Sequence, residues 1–366
     1  MKQIDLQSQS EQSDKRTGHH TDDYSLSLSH CTYREQHSPT LFMKLATFNL
    51  RYDALPDDIT VQQSLDAQSA INPLQPPKYL GVHKEQPWSL RRLRVAELLL
   101  REDFVVVGFQ EALIRQVLDL AELLGNEWKW IGVGRENGIE KGEFSPIFYK
   151  HTRLTCTSSE SFWLSDTPFT PSKYPGAGSF RVCTFGRFVT VKAENTQEQE
   201  ITIFNTHLDD QSDKQRQLAA SLLLQRAHHE ILKMNAPTFV LGDFNSASEG
   251  SDSAAYQIFV GKKSPVPIPL SFSERFPVSP EDKRGFKFHD LRAEAPRRAV
   301  SSNFATFTGF GAPNNTRNWA RIDFIFGGSN KGWTVTGYNV KASLFDDGVL
   351  ASDHRLVCTD VTLSKD

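Results

Sequence analysis

Cysteine is scarce in this chain: four in 366 residues, at Cys31, Cys156, Cys183 and Cys358, far apart and never as a CxxC pair. That spacing argues against a thiolate zinc site and a disulfide framework, and reads as reduced, mostly packed thiols. Long hydrophobic runs are missing as well. Nothing approaches the roughly 20 apolar residues of a membrane helix, and the N-terminal MKQIDLQSQSEQSDKRTGHHTDD has no hydrophobic stretch of the secretory type. A soluble cytoplasmic protein with no membrane segment is therefore expected, a nuclear one is left open, and a monomer is the simplest state. Charge of neither sign dominates, with 41 Lys and Arg against 44 Asp and Glu. A long polyanion is thus disfavoured as a general partner, although a local basic groove is still allowed. A glycine-rich nucleotide loop is absent too, because GVGRENG lacks the helix that a GxGxxG reading requires.

What is present is ample core material, 38% hydrophobic residues with 25 Phe, enough for one large domain or two ordinary ones. Residues 1–40 are polar and aperiodic and read as a disordered tail, leaving an ordered domain over 41–366 with insertions at about 54–89 and 250–300. SLRRLRVAELLLRED reads as a helix capped by Ser89, with Leu93, Ala96 and Leu100 as its stripe. ALIRQVLDLAELLG is a second helix, stopped by Gly125. The long SDKQRQLAASLLLQRAHHEILKM presents the row Ala219, Leu223, Ala227 and Ile231 to a core. Between them lie runs of strands without strict βα alternation. The expected class is α/β, with two mostly antiparallel sheets packed face to face and flanked by helices.

Several strand ends carry polar residues where burial favours apolar ones. These are Asn49 in ATFNLRYD, Glu111 in VVVGFQE, His207 in IFNTHLDD, Asp243 and Asn245 in VLGDFN, Asp323 in RIDFIF, and Asp353 with His354 in SDHRLV. In an extended chain residues i and i+2 share a face, so Asp243 and Asn245 are expected to project together. A charge such as Glu111 or Asp323 beside an apolar run is costly unless it is paired or bound to a cation. Hard oxygen donors without cysteine favour Mg²⁺ or Mn²⁺ over zinc. A carboxylate can deprotonate water, and a histidine kept charged by an Asp can stabilise charge developing on phosphorus.

These motifs, in this order over about residues 44–364, resemble the endonuclease/exonuclease/phosphatase superfamily. The resemblance implies a four-layered α/β sandwich and a Mg²⁺- or Mn²⁺-dependent phosphoric ester hydrolase. It implies Glu111 as principal metal ligand, with Asn49 and Asp353 beside it. Asp243 would activate the water, Asn245 would hold the phosphate, and Asp323 would pair with His354. His207 would face the phosphate, partnered by Glu143, and Arg187 would lie near the phosphate. The expected reaction is hydrolysis of a small or medium phosphodiester, or of a phosphomonoester. A nuclease or deadenylase acting on short single-stranded nucleic acid is the alternative, and a non-catalytic phosphate-binding module the third reading. The two insertions are expected to frame the cleft mouth. Trp88, Trp319 and Phe310 are candidates for stacking on a base or sugar, with packing the more ordinary reading.

Overall fold

One parallel strand pairing in each of two sheets decides where this chain can place chemistry. The computed structural model describes residues 41–67, 84–192, 197–279, 281–282, 285–312 and 314–364; the expected N-terminal tail, Cys31 and residues 68–83 lie outside these. The first sheet has β11 (Trp333–Val340), β12 (Val357–Leu363), β1 (Leu41–Asn49), β2 (Val106–Gln110), β4 (Ile147–Lys150) and β3 (Trp128–Ile131) side by side in that order. The second has β5 (Leu154–Trp163), β6 (Val182–Thr190), β7 (Glu200–His207), β8 (Thr238–Asp243), β10 (Asp323–Gly328) and β9 (Phe288–Asp290). Among the described strands only β1–β2 and β7–β8 run parallel; the other neighbours are antiparallel. The parallel pairs bring the carboxyl ends of four strands to one edge, and the antiparallel partners bring the start of β10 and the residues before β12 to the same edge.

Strand alternation sorts the core into layers. Leu45, Val106 and Ile147 of the first sheet meet Phe188, Ile203, Leu241 and Ile325 of the second. The outer face of the first sheet, with Phe48, Phe109 and Phe148, is covered by α2 (Trp88–Leu100) and α3 (Ile114–Leu124). The outer face of the second, with Phe204, Val240 and Phe324, is covered by α4 (Asp213–Met234), α5 (Ala254–Phe259) and α6 (Leu270–Arg275). This is the four-layered sandwich. The expected row Ala219, Leu223, Ala227 and Ile231 of α4 is buried. Ser212 caps that helix by accepting from the Gln215 amide, and Asn235 ends it in the left-handed region at φ 47°.

Toward the functional edge the inter-sheet faces change from apolar to polar. Gln110 donates to Asn205 Oδ1 at 2.7 Å and to Thr47 Oγ1 at 3.0 Å. Asn205 donates across the sheets to the carbonyls of Phe109 (2.7 Å) and Pro146 (2.8 Å). Thr47 and Asn205 each stand two residues before a site position, Asn49 and His207, so the clasp sets the register of one sheet against the other next to the site. Gly108 makes room for it, since a Cβ there would lie 2.5 Å from Asn205 Oδ1.

The structure corrects two local expectations. Ser89 does not cap α2: the helix begins at Trp88 after Pro87, and the Ser89 hydroxyl bonds Asp57 at 2.5 Å. Its buried face is Trp88, Arg91, Arg92, Val95, Ala96 and Leu99, while Leu100 is 56% exposed. The stripe is rotated because two arginines go inside. The 250–300 insertion packs Phe259, Phe272, Phe276 and Phe288 onto the outer core of the second sheet, and none of its described residues lines the cleft. Among the described residues no helix is long and apolar enough to cross a membrane.

Candidate active site

The site is the open end of the inter-sheet core. Asn49, His207, Asp243 and Asp323 continue the parity of Leu45, Ile203, Leu241 and Ile325, so each points between the sheets, where the strands end and the layers separate. Registry aligns Asp243 with both His207 and Asp323. Gly242 is required just before Asp243, because a Cβ there would lie 2.4 Å from the Thr206 carbonyl. Glu111 and Asn245 arrive differently. Both lie beyond their strands with φ of 57° and 44°, and Arg51 has φ 55°. Three of the five non-glycine residues with positive φ among the described residues thus lie in this cleft. Such strain persists where the surroundings enforce it and clusters at functional sites. The expectation that Asp243 and Asn245 share a strand face is therefore corrected: a turn in which the Asn245 amide donates to Asp243 Oδ1 at 2.9 Å brings Asn245 round to the cleft.

Asn49 is the hub. Its Nδ2 donates to Glu111 Oε1 and to Asp243 Oδ2, each at 2.9 Å, and its Oδ1 accepts from the Arg51 amide at 2.9 Å. Glu111 Oε2 accepts from the Tyr52 amide at 3.2 Å. His354 Nδ1 pairs with Asp323 Oδ2 at 2.9 Å, and its Nε2 lies 3.7 Å from Asp243 Oδ2. Asp243, Asp323 and His354 each offer a ligand atom within 4.8 Å of the others, a cluster that could hold an ion. Asp353 lies next to His354 and accepts from Ser352 Oγ at 3.2 Å. Ser352 Oγ also donates to the Asn49 carbonyl at 2.7 Å, tying the two segments together.

The electrostatics follow from burial among charges. Burial and the Asp323 carboxylate push Asp243 up, against the pull of His354. Burial opposes the charged form of His354, but Asp323, Asp243 and Asp353 outweigh it and hold its pKa well above the usual histidine value. Asp353 is raised by burial and, after the opposing His354, by Glu111, so these two carboxylates repel. His207 is held well below the usual value by burial and by Arg181 and Arg135, and is neutral. Its Nε2 lies 2.9 Å from Asn245 Nδ2, which also donates to the Leu208 carbonyl at 3.1 Å. With Asn245 Nδ2 donating to Nε2, the proton of neutral His207 is assigned to Nδ1, a buried atom without a hydrogen-bond partner among the described residues.

Two expected positions are corrected. Glu143 lines the cleft but does not pair with His207; it is taken bidentately by Arg135 at 2.6 and 2.8 Å. Arg187 is not in the cleft. It shares the helix-facing side of β6 with Phe185 and bonds Glu230 of α4 at 2.6 and 2.9 Å. Of the aromatic candidates, Trp88 is fully buried, with Nε1 on Asp119 at 2.8 Å. Trp319 lines a separate cavity beneath Arg355, and Phe310 is absent from the cleft lining.

The cleft encloses about 400 Å³ and has charged walls in which Glu143 alone is a position the sequence singled out. Arg51 stacks over Tyr52 at 4.3 Å and pairs with Glu85 at 3.1 Å. Arg135 and Glu143 form one wall. Arg181 forms another, with Asp209 at 3.2 Å and Asp210 at 2.7 Å. Asp209 is fully buried and also accepts from the backbone amides of Gly178, Ser179, Gln211 and Ser212. Arg51 and Tyr52 stand inside the quoted motif NLRYD; Arg135 and Arg181 sit on loops with no local signal.

Comparison with known proteins agrees with this geometry. The model of the endonuclease/exonuclease/phosphatase family matches residues 46–354. A family member from Bacteroides vulgatus is 26% identical, with 88% of this chain and 100% of that chain covered and a TM-score of 0.65. A mannosyl-6-phosphatase from Bacteroides thetaiotaomicron is 26% identical over 87% and 99% of the two chains, at a TM-score of 0.63. The human nocturnin catalytic domain shares the fold at 13% identity, 89% and 98% coverage and a TM-score of 0.52. No curated protein matches the sequence. With its strand-end side chains gathered at one edge and the family's model matched across them, the chain belongs to the endonuclease/exonuclease/phosphatase family.

Proposed function

We propose that the chain is a divalent-metal-dependent phosphoester hydrolase that uses water as nucleophile on a small phosphorylated substrate. The observation carrying this reading is the separation of roles in one cleft: a charged His354–Asp323 pair, a carboxylate at Asp243 with raised basicity, and a distinct oxygen set at Glu111, Asn49 and Asp353. That oxygen set fits Mg²⁺ or Mn²⁺. Its donors are two carboxylates and an amide without sulfur, and the two carboxylates repel one another as a cation between them would relieve. The Asp243, Asp323 and His354 cluster fits an ion less well, because Asp323 already occupies His354 Nδ1. When bound, the metal would polarise a phosphoryl oxygen and offset its charge.

The remaining chemistry belongs to the side chains. Asp243 takes the proton from water, and its raised pKa makes it a better base than an exposed carboxylate. His354, kept protonated by Asp323, lies beside Asp243 to meet charge developing on phosphorus. A phosphate oxygen competes with His207 for the Asn245 amide, and neutral His207 holds that amide until then. The cleft volume, and arginines already paired with Glu143, Asp209 and Asp210, suit a compact substrate better than a polymer. The 26% identical mannosyl-6-phosphatase supports a phosphomonoester of a sugar as the first class to test.

The test is a panel of sugar phosphates, a chromogenic diester, and single-stranded RNA and DNA, assayed with Mg²⁺, Mn²⁺ or EDTA. The expected outcome is metal-dependent hydrolysis with the highest kcat/KM among the small monoesters. Faster cleavage of the oligonucleotides would replace this substrate reading with a nuclease.

A further inference from the structure

Arg91 is fully buried beneath the cleft, and its side chain uses all five donors. The partners are all main-chain carbonyls: Gln86 from Nε at 3.0 Å, Leu50 and Ala351 from Nη1 at 2.6 and 3.1 Å, and Arg51 and Tyr52 from Nη2 at 3.0 and 3.3 Å. A buried guanidinium normally demands a carboxylate at contact, and none of these bonds goes to one. Its nearby negative charges are those of Glu85, Asp353 and Asp53. Gln86 lies just before the helix of Arg91 itself, and the other four carbonyls belong to two segments far apart in sequence. Leu50, Arg51 and Tyr52 form the turn after Asn49, and the amides of Arg51 and Tyr52 orient Asn49 and Glu111. Ala351 begins the segment that carries Asp353 and His354. One guanidinium therefore joins the two halves of the proposed oxygen set at four carbonyls at once, beside the single Ser352 hydroxyl bond, as the five-donor fork of arginine allows.

We propose that Arg91 is the positioning residue of the metal site, fixing the turn that carries Asn49 against the segment that carries Asp353. This rests on the metal-dependent reading above. Arg92 supplies an internal control. It is equally buried in the same helix, but its bonds go to Asp119, the Ile59 and Thr60 carbonyls and Ser64, none of which lines the cleft.

The experiment compares wild type, Arg91→Lys and Arg92→Lys by calorimetric titration with Mn²⁺ alone, by thermal melting without metal, and by metal titration of activity well below the melting temperature. Groups that support metal ligands typically contribute about 10- to 100-fold in affinity. Arg91→Lys is expected to weaken Mn²⁺ binding by about that factor and to recover much of kcat at saturating metal. Arg92→Lys is expected to lower the melting temperature and leave the Mn²⁺ affinity within twofold, roughly the limit for an uncoupled site. Equal Mn²⁺ affinity in both variants would overturn the positioning role while leaving the metal reading intact. A wild type that binds no Mn²⁺ would overturn the metal reading and this inference with it.

Discussion

Replacing Asp323 by Asn keeps the shape of the side chain and an acceptor for His354 Nδ1, so what it removes is charge. The wild-type contact is 2.9 Å between two fully buried groups. Two unit charges about 4 Å apart at an effective dielectric near 20 interact by about 4 kcal/mol. At about 1.4 kcal/mol per factor of ten, the loss in kcat/KM should approach, without exceeding, about 10³-fold. The pH profile is the sharper readout. His354 is raised by Asp323, so the alkaline limb should move to lower pH in the variant. Asp243 is also raised, first by burial and then by Asp323, so the acid limb should move to lower pH as well. The whole bell is therefore expected to travel acidward. Stability follows the same signs. The raised His354 contributes stability that is full below its unfolded value of about 6.5 and lost as pH rises through its folded value. The raised Asp243 contributes a penalty absent below its unfolded value of about 3.9 and felt fully once it ionises. Removing Asp323 reduces both effects. The assay is kcat/KM from pH 5 to 10 at saturating metal for wild type and Asp323→Asn. Limbs that stay put, or move apart, would refute the coupling of these three groups.

Glu111→Gln should raise the metal concentration for half-maximal activity by about 10- to 100-fold, read by titrating Mg²⁺ and Mn²⁺; an unchanged midpoint would remove Glu111 from the proposed ligands. Asp209→Ala leaves Arg181 and the 178–179 amides without their buried acceptor, so urea unfolding should show a loss of about 3–5 kcal/mol together with a raised KM. Because Asp209 is held below the usual carboxylate value, chiefly by the 178 and 212 amides and Arg181 against the effect of burial, its contribution is present above its unfolded pKa and fades as pH falls through the folded one. Arg187→Ala should cost roughly 1–3 kcal/mol of stability by leaving Glu230 with fewer partners, and should leave kcat/KM within twofold; a large kinetic loss would place Arg187 in the reaction after all.

The strand ends were legible because burial and alternation are local. VLGD and RIDF announce a charge on an inward face, and that face is where the structure puts Asp243 and Asp323. The same parity could have placed Arg187 correctly, since Phe185 and Arg187 share a side of β6 and that side faces α4. Arg91 and Arg92 were not legible: an arginine reads as solvated unless its acceptors are known, and here those acceptors are the carbonyls of 50–52, 86 and 351, or the carbonyls of 59 and 60 with Asp119 and Ser64. Once both go inside, the helix turns and Leu100 faces solvent. Glu143 was misassigned for a similar reason. Its partner Arg135 stands eight positions earlier, on the other side of a loop, a closure that no periodicity reports.

The most direct test of the proposed function uses metal-stripped protein and a small phosphomonoester, with Mg²⁺ or Mn²⁺ added back to wild type and Asp243→Asn. Wild type is expected to be silent in EDTA and to recover on addition of either ion. Asp243→Asn should bind the ion comparably yet turn over about 10²- to 10⁴-fold more slowly, the usual share of a general base. Turnover by verified metal-free wild type, or wild-type rates from Asp243→Asn, would contradict it.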